Sequence, residues 1–179
     1  MHDLNPINAS RTGRTLDWAT RKRILVTAGD GLAFIHKFPT RYPLVRANLK
    51  PSNILIDEQG NGCVSEWGIM RFAANIRCSP GDPSGCSSDR GTFTAVTPAS
   101  QRYLAPELAS GKEQATQESD VYSFCMMIQK VATDKEMEDG EIQEEEISGM
   151  VKIALLCTAG RTERRPEMSQ VVRMMGEFL

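Results

Sequence analysis

The chain has 179 residues, a formal net charge of −2, 40% hydrophobic and 25% charged residues, the balance of an ordinary folded domain large enough to bury a core. Nucleic-acid partners usually require a basic patch or stripe, and the longest apolar runs, such as residues 153–157 (IALLC), are far shorter than a membrane span. The opening residues MHDLNPINAS lack the apolar core of a signal peptide, so the expectation is a soluble, cytoplasmic chain with no membrane span and no nucleic-acid partner.

Residues 1–15 are polar, contain Asn, Pro, Gly and Ser, and read as a loop. A long helix follows in LDWATRKRILVTAGDGLAFIH, with Asp17 as N-cap. Leu25, Ala28, Leu32 and Ile35 form its buried stripe, and Gly29 and Gly31 weaken it locally. Residues 53–65 (NILIDEQGNGCVS) read as a short hairpin, two β-rich runs around a Gly/Asn turn. Residues 71–98 carry many Gly, Ser and Pro and little periodicity, and a loop of that length inside a compact domain is usually functional or disordered.

Helical signals return in SDVYSFCMMIQKVA, where Val121, Phe124, Cys125, Ile128 and Val131 make a wide apolar face. The acidic run DKEMEDGEIQEEE reads as a solvated connector or an exposed helix start. ISGMVKIALLCTA and RPEMSQVVRMMGEFL close the chain as two further helices, with Pro166 placed at the first turn of the last one. The cysteine count of five is odd and without metal-ligand spacing. Cys78 and Cys86 flank SPGDPSG and read as two loop thiols, and the only histidines, His2 and His36, suggest no catalytic pair or metal site. The expected architecture is a mainly helical domain with one small hairpin.

Three short motifs fall in order along this pattern. RANLKPSN (46–53) resembles the protein-kinase catalytic loop, His-Arg-Asp followed four residues later by Asn. EWG (66–68) stands where that family has Asp-Phe-Gly, and APE (105–107) matches its Ala-Pro-Glu. With LDWATRKRILVTAGDGLAFIH, SDVYSF and CTAGRTERRPEMSQVVRMM, the chain is similar to the C-terminal lobe of plant leucine-rich-repeat receptor-like kinases with atypical catalytic loops. The resemblance implies an α+β, mainly α, protein-kinase-like C-lobe with a small β-hairpin over residues 16–179, and an activation-segment-like loop over 66–107. The family's Gly-rich loop, strand lysine and helix glutamate lie upstream of anything in this sequence, so the resemblance covers one lobe and the N-lobe is expected to be absent. Gly60 and Gly62 form a G-x-G, but within a hairpin turn.

The resemblance also assigns positions. Asn48 stands where the family has the aspartate that accepts the substrate proton, and a carboxamide has no titrating carboxylate. General-base assistance contributes about 10²- to 10⁴-fold, or roughly 3 to 5 kcal/mol of barrier. Arg46 and Ala47 replace the family's His and Arg, which removes a usual contact for activation-loop phosphate. Lys50 resembles the lysine that neutralises the transferred phosphate. Asn53 resembles the amide holding a second metal ion, and Glu66 replaces the metal-binding aspartate with one methylene more, a poor match to the strict octahedral geometry of Mg²⁺. Trp67 replaces a smaller Phe and reads as core filling. Glu107 and Arg165 resemble a structural ion pair, and Asp120 resembles the helix-start aspartate that accepts hydrogen bonds from the catalytic-loop backbone. Between Val131 and Ile147 the chain is shorter than such relatives.

The functional expectation is a pseudokinase-like lobe, catalytically silent, acting as a protein-binding or regulatory module whose partner is a full-length receptor kinase on the cytosolic side of the plasma membrane. No cofactor is expected, ATP and Mg²⁺ entering only through residual binding. The alternatives are a serine/threonine kinase fragment with residual phosphotransfer, and a truncated product without independent function.

Overall fold

The computed structural model describes residues 16–41, 43–47, 49–65, 101–109, 115–133, 144–158 and 161–178. Helix α1 (Trp18–Lys37) starts where the Asp17 carboxylate accepts the Thr20 backbone N–H at 2.7 Å, in an extended N-cap residue. That bond also holds the Asp17 carboxyl below the usual range. The helix stops at Phe38, whose backbone is extended. Pro39 comes next, and a residue before proline is pushed out of the helical region. His36 and Lys37 occupy the last turn, where cations suit the negative end of the helix.

Strands β1 (Ile54–Ile56) and β2 (Gly62–Val64) pair antiparallel with Ile54 opposite Val64, Leu55 opposite Cys63 and Ile56 opposite Gly62. The turn is closed by Asp57, which accepts the Asn61 N–H at 2.7 Å, while Gly60 takes a positive φ of 82°. The single helical turn α2 (Pro106–Ala109) is followed by α3 (Gln117–Ala132), α4 (Glu144–Thr158) and α5 (Met168–Gly176). A capping box of Thr116 and Ser119 starts α3.

The core is the meeting of these helices. Ile24, Leu25, Ala28 and Leu32 from α1, Phe124, Cys125 and Ile128 from α3, Met150 and Ala154 from α4, and Val171 and Met175 from α5 are fully buried. Each large aliphatic side chain among them contributes about 1.5 to 3 kcal/mol by leaving water. The fold is mainly helical with one two-stranded antiparallel sheet, the class read from the sequence. Among the described residues no helix is long and apolar enough to cross a membrane.

Three details differ from the sequence reading. Gly29 is a crossing point: a Cβ there would meet Val172, Phe124 and Met168 at 3.0, 3.1 and 3.2 Å, so α1, α3 and α5 approach closely because that side chain is absent. Pro166 precedes the last helix instead of occupying its first turn. The start is set by a reciprocal cap in which Glu167 accepts from the backbone three residues on and Gln170 accepts the Glu167 N–H at 3.0 Å. The end of the acidic run is not simply solvated. Glu146, in the first turn of α4, accepts from Trp18 Nε1 at 2.9 Å and Lys22 Nζ at 2.8 Å, and these bonds lower its carboxyl pKa. Residues 71–98, including Cys78 and Cys86, lie outside the described residues, as do residues 1–15.

Cys125 and Cys157 face one another in the core as free thiols, and Cys63 is exposed on the hairpin. Burial, reinforced by the hydrogen bond to Cys157, pushes the Cys125 thiol well up, which keeps it in the unreactive form.

The hairpin sits on α1 through Gly62. Its N–H donates to Thr27 Oγ1 at 2.7 Å, and a Cβ at this position would overlap the carbonyl oxygen of Ile24. Backbone cannot yield as a flexible side chain does, so Gly62→Ala is expected to cost about 1 to 3 kcal/mol. Thermal unfolding followed by circular dichroism checks this: the melting temperature should fall by several degrees, and an unchanged melt would mean that the hairpin lifts off α1 without cost.

Candidate functional site

Two of the residues singled out from the sequence, Arg46 and Ala47, meet a third, the buried carboxylate of Asp120. Asp120, in the first turn of α3, is 1% exposed. Its Oδ2 accepts the Arg46 N–H at 2.6 Å and its Oδ1 the Ala47 N–H at 2.8 Å, while His36 Nε2 lies 3.2 Å from Oδ2. A carboxylate taken out of water must recover its hydration from such donors, and a hydrogen bond to a charged group contributes about 1.5 to 3 kcal/mol. The position at a helix start adds the favourable end of the helix dipole.

These bonds hold a strained backbone. Ala47 has φ of 63°, in the left-handed region that a residue with a Cβ enters at a cost of about 1 to 2 kcal/mol. The two adjacent N–H groups point at Asp120 in that conformation, so the carboxylate offsets the strain it requires. On either side, Leu44 and Leu49 are buried, and the Gln117 amide donates to the carbonyls of His36 and Leu44 at 2.9 and 3.2 Å. The loop is therefore fixed from α1 and α3 together. Asn48 lies outside the described residues; Ala47 and Leu49 flank it.

Downstream, Pro51–Asn53 form one tight helical turn in which the Asn53 N–H reaches the Lys50 carbonyl at 2.9 Å. Lys50 is partly exposed and Asn53 is buried. The Asn53 carbonyl accepts both the Ser65 N–H and the Ser65 hydroxyl, each at 2.9 Å. The Ser65 carbonyl in turn accepts Arg46 Nε at 2.9 Å. Arg46, Asn53 and Ser65 thus form one connected group. Glu66 and Trp67 follow Ser65 in sequence and lie outside the described residues.

A second network lies at α2. Arg165 donates to both Glu107 oxygens, at 2.6 and 2.9 Å, and to the Glu118 carbonyl at 3.2 Å. Its guanidinium stacks 4.9 Å from the Tyr122 ring. Burial pushes the Glu107 carboxyl up, but the Arg165 hydrogen bond and charge together outweigh it, and the pKa is lowered. The pair therefore pins α2, the end of the APE motif, to the start of α3 and the approach to α5.

This order of motifs around the braced loop agrees with a comparison of families. The sequence model of the protein kinase domain matches residues 3–179. The chain belongs to the protein kinase domain family. Among its relatives in Arabidopsis thaliana, one named a probable leucine-rich repeat receptor-like protein kinase is 32% identical over 93% of this chain and 27% of its own length. One named a probable LRR receptor-like serine/threonine-protein kinase is 28% identical over 99% of this chain and 32% of its own. One named a probable inactive receptor kinase is 30% identical over 89% of this chain and 27% of its own. The chain thus spans about a quarter to a third of the length of these relatives.

Within this protein kinase domain, sequence reading gave no role to two contributors, His36 and Ser65, and an incomplete one to a third, Arg46. His36 completes the surroundings of Asp120 from 84 residues away; its only signal was its place at the end of a helix. Ser65 joins Arg46 to Asn53, and a lone serine at a strand end carries no pattern. Arg46 was read for what it replaced, whereas its side chain is 3% exposed and turned into the site.

Two outcomes test this geometry. Asp120→Asn removes one charged acceptor from two loop N–H groups, and amide hydrogen exchange at Arg46 and Ala47 should accelerate by about tenfold or more, matching a loss of ~1.4 kcal/mol or more; unchanged exchange would show that the loop holds itself. For Glu107, a folded-state pKa below the ordinary 4.5 means stabilisation that is present above that value and lost as pH falls through it. Wild-type melting temperature should therefore drop more steeply than that of Glu107→Gln between about pH 5 and pH 3, and the variant should start lower at neutral pH because Arg165 loses its charged partner.

Proposed function

We propose that this chain is a kinase-type lobe without efficient phosphotransfer, acting as a protein-binding or regulatory module alongside receptor kinases at the cytosolic face of the plasma membrane. The observation that carries the reading is the identity of residue 48. The loop around it keeps an elaborate brace, with Asp120 holding Arg46 and Ala47 at 2.6 and 2.8 Å, yet the residue presented between Ala47 and Leu49 is an asparagine.

An amide positions a hydroxyl by hydrogen bonding but takes no proton near neutral pH, so the general-base contribution of about 10²- to 10⁴-fold is missing. Glu66 in the metal-binding place adds a second departure, since a longer carboxylate misaligns an ion that requires octahedral geometry at short distance. A scaffold of this kind retains what a partner would recognise, the shaped lobe, while lacking the group that would make it turn over. The relative named a probable inactive receptor kinase is 30% identical to this chain, which supports reading the departures together.

The test is transfer of radiolabelled phosphate from ATP, with magnesium, to a generic serine/threonine protein substrate by the purified chain. Incorporation is expected to stay at the level of a no-enzyme control. Turnover above that level that disappears on Asn53→Ala would overturn the reading in favour of an active serine/threonine kinase.

A further inference from the structure

The outward side of α1 is used by neither the core nor the braced loop. Phe34 is 67% exposed there and Phe38 48% exposed, their rings meeting edge to face at 5.8 Å. With Thr27, Gly31, Leu44 and Val64 they line a groove of about 310 Å³. Contiguous exposed apolar surface of this kind marks an interaction site, which scattered single residues do not.

The spacing of these residues says what shape fits. Thr27, Gly31, Phe34 and Phe38 recur at intervals of four, three and four, the repeat that lets one helix lie along another. A Cβ placed on Gly31 would meet nothing within 4 Å, so the helix backbone is open to close approach just before the protruding Phe34 ring. A glycine inside a helix weakens it, and the packing of this lobe makes no use of Gly31, in contrast to Gly29.

The charges say which helix fits. Asp30 and Lys37 are exposed, and each directly precedes a member of the strip. Seven residues apart, they are too distant to pair within one helix, where neighbours lie three or four apart. Neither makes an ion pair among the described residues. A second α1 lying parallel to the first would set Asp30 beside Asp30 and Lys37 beside Lys37. Reversed about a two-fold axis between residues 31 and 34, it sets Asp30 beside Lys37 twice and lays each Phe34 over the Gly31 of the other copy. One patch then complements itself, as an isologous contact requires.

We propose that this face of α1 pairs with a second copy of the chain in a symmetric, antiparallel dimer. The strip runs for about three turns of helix, a small contact by the standard of stable complexes, so the pair exchanges with monomer on dilution. The inference goes beyond the reading of an inactive lobe: it does not involve residue 48 and holds whether or not phosphate is transferred.

The experiment is sedimentation velocity of the full chain over a dilution series, with circular dichroism to check that each variant is folded. The wild-type chain should sediment as a monomer–dimer equilibrium. Gly31→Gln places a helix-favouring side chain in open space. It should weaken the dimer by about tenfold or more while melting no lower than wild type at a concentration where both are monomeric. Asp30→Lys and Lys37→Asp should each weaken it alone, since each sets like charges across the axis, and an equimolar mixture of the two should restore it as a heterodimer. A wild-type chain that stays monomeric at every concentration overturns the proposal and leaves the face to a partner of another kind. So does association that a folded Gly31→Gln leaves unchanged, or a mixture that pairs no better than its components. Should Gly31→Gln not fold, the charge mixture decides alone.

Discussion

Burying one carboxylate is the constraint from which the site is built. Asp120 sits at the start of α3 with almost no access to water, and an isolated charge in that setting is costly. The fold meets the requirement by turning two consecutive backbone N–H groups toward it, which forces Ala47 into the left-handed region, and by bringing the end of α1 within reach through His36. The backbone conformation at Arg46 and Ala47 and the contact between the end of α1 and the start of α3 are thus answers to one solvation problem. Neither uses the side chain of residue 48.

The same reasoning separates scaffold from chemistry elsewhere. The Glu107–Arg165 pair fixes α2 against the rest of the lobe with two short bonds and an aromatic stack. Such pairs hold shape more than they add stability, because two charges must first be desolvated. The Asn53 carbonyl likewise joins the tight turn to the end of β2 by accepting the Ser65 N–H and hydroxyl. The bonds described around the site mostly run through backbone atoms, and backbone bonding tolerates changes of side chain. The bonds from Arg46 and Ala47 to Asp120 use their main-chain N–H groups, which any residue other than proline supplies.

Much of the fold was legible because periodicity reports burial directly. The face Val121, Phe124, Cys125, Ile128 and Val131 is buried throughout, and the turn residues around Gly60 marked the hairpin. The start of the last helix was misread because proline is only compatible with a first turn, whereas the Glu167–Gln170 cap defines one. Gly29 was read from propensity alone, which knows nothing of the helices that cross there. The polar site was less accessible still. Asp120 and Arg46 are separated by 74 residues, and no local spacing encodes a contact at that distance, so those residues could be named only through resemblance. His36 and Ser65, which have no distinctive pattern, could not be assigned a role.

The clamp at Lys22 has a consequence for how the chain is made. Its ammonium group, on a residue only 8% exposed, bonds Glu146 at 2.8 Å and the Phe178 carbonyl at 2.7 Å, partners 124 and 156 residues further along. A ribosome delivers α1 well before either partner. While the intervening residues are being made, the helix carries a lysine whose eventual acceptors do not yet exist, so its final seating waits until α4 and the residues beyond α5 have been synthesised.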